Sequence, residues 1–346
     1  MSNGFDLIVI GAGPAGCAAA IHAASQGLRV CIVEREQFPR DRPGETLHPG
    51  VEPILQQLGV LKEIEQLDCV RHHGIGVQWN AASEFQAFGE DEAGPWRGWQ
   101  IYRRDLDAVL LQKAKDLNVE IVMPAKALAV IVEDKRVIGV ETSLGKFYAK
   151  YCIDASGAWH WLTRKLNFGR QQAAMKLYAL YGYGKGFYKA AYDDPQIVAD
   201  DKGWTWIARV AADHYQWTRV EFTKNFLDKK WQPKVLNHLQ PLGDARSADV
   251  SWRIANQLAG SGFFLVGDAA FVLDPASSHG VLKALLSGIK AADLTTKIMI
   301  KDILSTEAVL NYQQWLCDWY QHDVGELQVL YQKAWKTKGG QSNLIS

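Results

Sequence analysis

Glycines at positions 11, 13 and 16 spell Gly-x-Gly-x-x-Gly between the apolar run Phe5-Asp6-Leu7-Ile8-Val9-Ile10 and an alanine-rich stretch. A strand, a tight turn and a helix in that order make a phosphate cradle. Gly11 permits the turn, Gly13 leaves bare backbone for a pyrophosphate, and Gly16 lets the helix pack close to the strand. The N-terminus of that helix then faces the anion. A helix to Gln26, Gly27 as its cap, a strand over 28–33 and then Glu34 complete a dinucleotide-binding unit, in which the Glu34 carboxylate can hold a ribose hydroxyl pair. No Ser-His-Asp arrangement or metal-ligand spacing competes with it.

Three further blocks follow in order. Arg40-Asp41-Arg42-Pro43-Gly44-Glu45-Thr46 comes just after the acid, Asp154-Ala155-Ser156-Gly157 closes another strand, and Phe263-Phe264-Leu265-Val266-Gly267-Asp268-Ala269-Ala270 lies near the C-terminus. Together the four blocks resemble the FAD-dependent monooxygenase superfamily of aromatic hydroxylases, tryptophan halogenases and geranylgeranyl reductases. The resemblance covers nearly the whole chain and implies FAD as the cofactor.

It also implies roles. Arg42, two residues before Gly44, matches the arginine that reaches the FAD phosphates, and Arg103, four residues before Asp107, matches one that opens a helix beside the cofactor. A guanidinium suits a diphosphate because its donors form a fixed fork. Arg40 and Arg104 are the lesser alternatives, and Arg35, directly after Glu34, joins the cofactor set. Asp268 matches the carboxylate that binds the ribityl chain. Asp274-Pro275-Ala276-Ser277-Ser278-His279-Gly280 matches the loop that wraps the flavin ring, with Pro275 inside it and Gly280 starting a helix whose positive end favours charge on reduced flavin. These motifs put His48 and His279 near the ring, where a neutral imidazole can move a proton. A protonated His279 would compete with the helix N-terminus, so the neutral form is expected.

Asp154-Ala155-Ser156-Gly157 is closer to the halogenases and isoprenoid reductases than to hydroxylases that reduce themselves with NADPH. Only one Gly-x-Gly-x-x-Gly follows a strand, so electrons are expected from transiently docked NAD(P)H, from a partner flavin reductase or from the substrate itself. Gly203-Trp204-Thr205-Trp206-Ile207 is similar to the tryptophan-rich strand of halogenases but lacks its proline, and 71–79 offers no lysine of the kind that handles hypohalous acid. The resulting expectation is a monooxygenase acting on an aromatic or electron-rich substrate, either a small molecule or a protein side chain. Tryptophan in quinone-cofactor maturation is the protein example the resemblance supplies. A flavin-dependent reductase of an unsaturated isoprenoid and a non-catalytic flavin-fold binding protein stay open beside it.

The chain has 346 residues, 48% of them apolar, enough for a substantial core. Lys plus Arg equals Asp plus Glu at 38 each, so no global field favours nucleic acid or an anionic membrane. No run approaches the ~20 apolar residues of a membrane span, and no basic segment precedes the first apolar run. Five cysteines without metal spacing read as buried thiols in a reducing cytoplasm. The 13 tryptophans, several in close pairs, serve either core packing or an aromatic slot for a flat substrate.

The elements that must position these residues alternate between two patterns. A helix is expected over 54–67, then a helix with Leu106, Val109, Leu110, Ala114 and Leu117 on one side, inner parallel strands over 119–123 and 263–266, and a hairpin of 126–133 with 136–142 continuing into 147–153. Period-two alternation over 175–222 reads as an antiparallel sheet, joined by an excursion over 70–98. Helices over 280–301 and 305–336 close the chain. The fold class is therefore α/β: a Rossmann-like FAD-binding domain of 1–70, 99–170 and 255–346, interleaved with an antiparallel substrate domain of 71–98 and 171–254.

Overall fold

A computed structural model describes residues 4–79, 83–188, 194–200, 202–222 and 228–336; the last ten residues of the expected cofactor domain lie outside them. The chain begins with β1 (Phe5–Ile10), α1 (Pro14–Ser25) and β2 (Val30–Val33), then sends β3 (Gly74–Gln78) into a second sheet. It returns through α2 (Arg103–Asp116), β4 (Glu120–Val122), β5 (Ala127–Glu133), β6 (Arg136–Thr142) and β7 (Gly145–Asp154). The second sheet receives β8 (Tyr178–Lys185), β9 (Gln196–Ala199), β10 (Gly203–Ala211) and β11 (His214–Glu221). Strand β12 (Phe263–Leu265) and helices α3 (Gly280–Met299) and α4 (Ser305–Lys336) complete the described chain.

The first sheet runs β4-β2-β1-β7-β6-β5, with β12 also on β7. Its centre is parallel and buried on both faces, as the apolar runs 7–10 of β1 and 30–33 of β2 require. Strand β7 belongs to two patterns: 145–148 pair antiparallel with β6, and 149–154 lie parallel to β1. The β5–β6 turn puts both Asp134 and Lys135 at positive φ, 47° and 62°, which matches the twist of a tight hairpin.

Register fixes where a ligand can sit. Ile10 is opposite both Val33 and Asp154, and Asp154 is opposite Leu265, so four strands end on one line. The Gly11 turn, Glu34, the 155–157 turn and Gly267-Asp268 therefore leave the sheet at one edge, the carboxyl ends where α/β sheets bind ligands. Helix α3 lies directly on α1, and glycine is needed at that crossing because a Cβ on Gly288 would stand 2.2 Å from the Ala15 carbonyl oxygen.

The second sheet continues from β8 through β11, β10 and β9 to β3 and the strand Glu84–Ala87. It is antiparallel apart from one parallel pair, β9 with β3, the seam at which the two excursions meet. One face, with Ala179, Ile197, Trp204 and Val220, packs against Trp252 and against Leu327 and Tyr331 of α4. The other is covered by Leu236, Leu239 and Ala245. The expected helix 54–67 is two short helices, Glu52–Gln57 and Leu61–Glu65, because Gly59 at φ 67° ends the first.

Candidate active site

The fold itself requires two of the three turn glycines. A Cβ on Gly11, which sits at φ 105°, would lie 2.5 Å from the Ala155 carbonyl oxygen, and one on Gly16 would lie 1.9 Å from that of Gly11. Gly13 is different. It is an extended N-cap of α1, with φ −76° and ψ −177°, and its Cβ would meet only Arg40 Nη2, at an ordinary 3.6 Å. No side chain caps α1, so its first N–H groups remain available to an anion. Bare backbone at Gly13 leaves a volume that a pyrophosphate could fill.

Charge is arranged around that turn. Glu34 Oε2 accepts the Ala12 N–H and Oε1 the Glu36 N–H, both at 2.8 Å, so the carboxylate is fixed beside the cradle. The Arg40 guanidinium lies 3.5 Å from Glu34 and 3.8 Å from Asp107, with Nε buried and without a hydrogen bond. Arg42 and Arg35 instead both pair with Glu36. Burial pushes the Glu36 carboxyl up, but Arg42 outweighs it and, with Arg35 and Arg40, holds the group below its ordinary range. Arg103 grips Asp107 with two donors at 3.0 and 3.2 Å and gives a third to the Pro43 carbonyl, which positions the 43–45 loop. Arg40 is thus the arginine against the Gly13 turn.

At the other end of the line, Gly267 at φ 56° turns the chain after β12 and presents Asp268. Its Oδ1 accepts from Lys283 Nζ at 2.9 Å. The lysine side chain is 5% exposed and the aspartate's 48%, so the ammonium is buried and the carboxylate opens outward. Burial pushes Asp268 up, but Lys283 outweighs it and keeps it below its ordinary range. Asp274 is fully buried; it caps the short turn Pro275–Ser277 through the Ala276 N–H and accepts from Trp252 and Tyr331. A Cβ on Gly280 would meet nothing within 4 Å, so the first turn of α3 also faces open space.

His279 and His48 come together at that helix start, ring centroids 5.8 Å apart and planes at 74°. His279 Nδ1 lies 3.6 Å from Asp323 Oδ2 of α4. His48 Nδ1 accepts the Gly50 N–H at 3.0 Å, and burial, followed by the charge of His279, keeps His48 below its ordinary range. Glu45 is buried beneath, accepting from the Tyr183 hydroxyl of β8 and from the Gly44 N–H. Burial pushes its carboxyl up to about 7, although the Tyr183 hydrogen bond opposes the shift. Among the described residues no cluster of His, Cys, Asp and Glu could hold a metal ion.

The family description "FAD dependent oxidoreductase" matches residues 6–159. The chain is 28% identical to a 1H-pyrrole-2-carbonyl-[peptidyl-carrier protein] brominase of Pseudoalteromonas luteoviolacea, over 84% of this chain and 76% of the relative. It is 29% identical to the menaquinone reductase of Mycobacterium tuberculosis, again over 84% of this chain and 76% of the relative. The solved structure of the myxobacterial chondrochloren halogenase superposes with a TM-score of 0.84 at 25% identity, covering 93% of this chain and 82% of that one. These likenesses are consistent with the FAD-dependent superfamily of aromatic hydroxylases and tryptophan halogenases. The chain's cofactor is FAD, and the flavoprotein is an oxidoreductase. No helix among its described residues is long and apolar enough to cross a membrane.

Most tryptophans of this flavoprotein are packing. Trp204 is 1% exposed and donates to Tyr331 Oη, while Trp217 lies on the opposite face of the sheet against Trp231. Trp206 lies across from Thr218 and Ile197 on the inner face, in one row with Tyr181. The aromatic slot expected from the tryptophans therefore reduces, on this face, to Trp206 with Tyr181 and Tyr183 of β8. Lys283, Asp323 and the Glu45–Tyr183 pair escaped the sequence reading. Lys283 alone left a sequence signal, a charge in an apolar helix stretch, three residues after Gly280.

Proposed function

We infer that the flavoprotein is a monooxygenase that transfers oxygen to an aromatic or electron-rich substrate lying between the α3 N-terminus and the inner face of the second sheet. The observation that carries this is the pair of imidazoles at the helix start, with the His48 ring also edge-on to Phe88 at 5.4 Å. FAD, when bound and reduced, supplies the electrons that activate oxygen. The chain's own residues would do the rest. Gly13 and the first N–H groups of α1 would take the pyrophosphate with Arg40 beside them. Glu34 would hold a ribose and Asp268 the ribityl hydroxyls, and the uncapped start of α3, with Gly280, would face the ring. His279 and His48 would hold or move the substrate's proton. Electrons would come from NAD(P)H or a partner flavin reductase, since one dinucleotide cradle is present among the described residues.

Halogenation, the activity named for the brominase and for the chondrochloren halogenase, has less support. No lysine lies in the strands Val70–His72 and Gly74–Gln78, and the one lysine buried among the described residues is tied to Asp268. The deciding experiment supplies reduced holoenzyme with labelled oxygen, bromide, and a panel of indoles, phenols and tryptophan peptides, and reads products by mass. One labelled oxygen atom in the product is expected. A brominated product, or anaerobic saturation of an isoprenoid double bond with no oxygenated product in air, would replace the reading.

A further inference from the structure

The two imidazoles meet opposite partners at Nδ1. His48 Nδ1 accepts the Gly50 N–H, so it must carry a lone pair, and the proton of the neutral ring sits on Nε2. His279 Nδ1 is buried, makes no hydrogen bond, and faces Asp323 Oδ2. That oxygen is held from one helical turn back by the Trp319 indole N–H at 3.1 Å, and Asp323 is 4% exposed. A carboxylate only accepts, so the nitrogen opposite it is favoured as N–H and the lone pair goes to Nε2. The His279 side chain is 38% exposed with Nδ1 buried, which leaves the Nε2 edge as the accessible one.

We propose that His279 Nε2 is the proton acceptor of the active site and His48 Nε2–H a donor beside it, with Asp323 the positioning residue that sets this polarity. The substrate that fits is an aromatic ring bearing an N–H or O–H, as an indole or a phenol does. Its N–H or O–H bond breaks with the electron pair staying on the ring, a new N–H bond forms at Nε2, and Asp323 compensates the imidazolium. No electrons change hands, and the ring becomes the better oxygen acceptor. His48 can only donate at Nε2, so it orients an acceptor atom where the substrate carries one, as a phenol oxygen does. The substrate class rests on the oxygen-transfer reading; the polarity of the two rings does not.

Long-range proton–nitrogen NMR of holoenzyme labelled in its histidine rings reads both tautomers directly, with His279→Asn and His48→Asn assigning the signals. In the neutral rings, His279 is expected protonated at Nδ1 and His48 at Nε2, and Asp323→Asn should abolish the preference of His279 while leaving flavin absorbance and His48 unchanged. A wild-type His279 protonated at Nε2 would overturn the proposal even if the variant failed to fold. Titrating oxidised holoenzyme with indole and 1-methylindole, followed by flavin absorbance, should show methylation weakening binding at least about tenfold, roughly one lost hydrogen bond. Equal binding, or binding of neither, removes the substrate class. The expected tautomers without oxygen transfer would sink the monooxygenase and keep the polarity, whereas reversed tautomers in a working monooxygenase would sink the polarity alone.

Discussion

Replacing Gly13 by alanine separates what the cofactor requires from what the fold requires. At φ −76° and ψ −177° alanine is unstrained, and its Cβ meets one guanidinium nitrogen at 3.6 Å. The apoprotein should therefore keep its stability to within about 0.5 kcal/mol, or gain roughly 0.4–1 kcal/mol because alanine restricts the unfolded chain. The same methyl group would stand where a pyrophosphate approaches the backbone. Forcing the phosphates back costs at least one charge-assisted hydrogen bond, about 1.5–3 kcal/mol, or roughly 10- to 150-fold in FAD affinity. Gly16→Ala is the control, because its Cβ would fall 1.9 Å from the Gly11 oxygen and the fold must fail with the binding. Urea denaturation of the two apoproteins and fluorescence titration with FAD measure both quantities. If Gly13→Ala binds FAD as tightly as wild type, or loses stability as Gly16→Ala does, the reasoning is wrong.

Other substitutions test the remaining supports. Asp268→Ala should cost about 3 kcal/mol in a urea melt because it removes the counter-charge of the buried Lys283 ammonium, which keeps only the Phe271 carbonyl and ring, whereas Lys283→Met should cost about 1 kcal/mol, since the half-exposed carboxylate stays solvated; equal costs would refute this asymmetry. Glu45, with a folded carboxyl at about 7 against an unfolded value near 4.5, keeps its proton longer when folded, so wild-type stability should fall by roughly 3 kcal/mol as pH rises from 4.5 through 7. Glu45→Gln should flatten that part of the profile, and an unchanged slope would remove Glu45 as its source. Tyr331→Phe should cost about 2 kcal/mol by stranding the buried Trp204 indole N–H, with FAD held less tightly because Asp274 loses a partner; wild-type melting and flavin release would contradict this.

The sequence determined those features whose physics is local. A Gly-x-Gly-x-x-Gly turn between an apolar run and an alanine-rich helix has few other uses, and period-two alternation marked β8, β10 and β11. The break of the 54–67 helix at Gly59 was already present as a glycine inside the periodic stretch. Contacts between distant segments were set only by the tertiary structure. Arg40 and Arg42 stand two residues apart in a loop, and composition cannot tell which one lies against Gly13; the fold turns Arg42 to Glu36 and Arg40 to Glu34 and Asp107. Trp204 and Trp217 read alike in sequence, yet they face opposite sides of the sheet because Trp217 pairs with Ile207, which stands an odd number of residues from Trp204 along β10. Asp323 reaches His279 across 44 positions, and Glu45 reaches Tyr183 across 138. Such pairings depend on how helices and sheets dock, and docking is decided by the sum of many buried contacts rather than by the residues that meet.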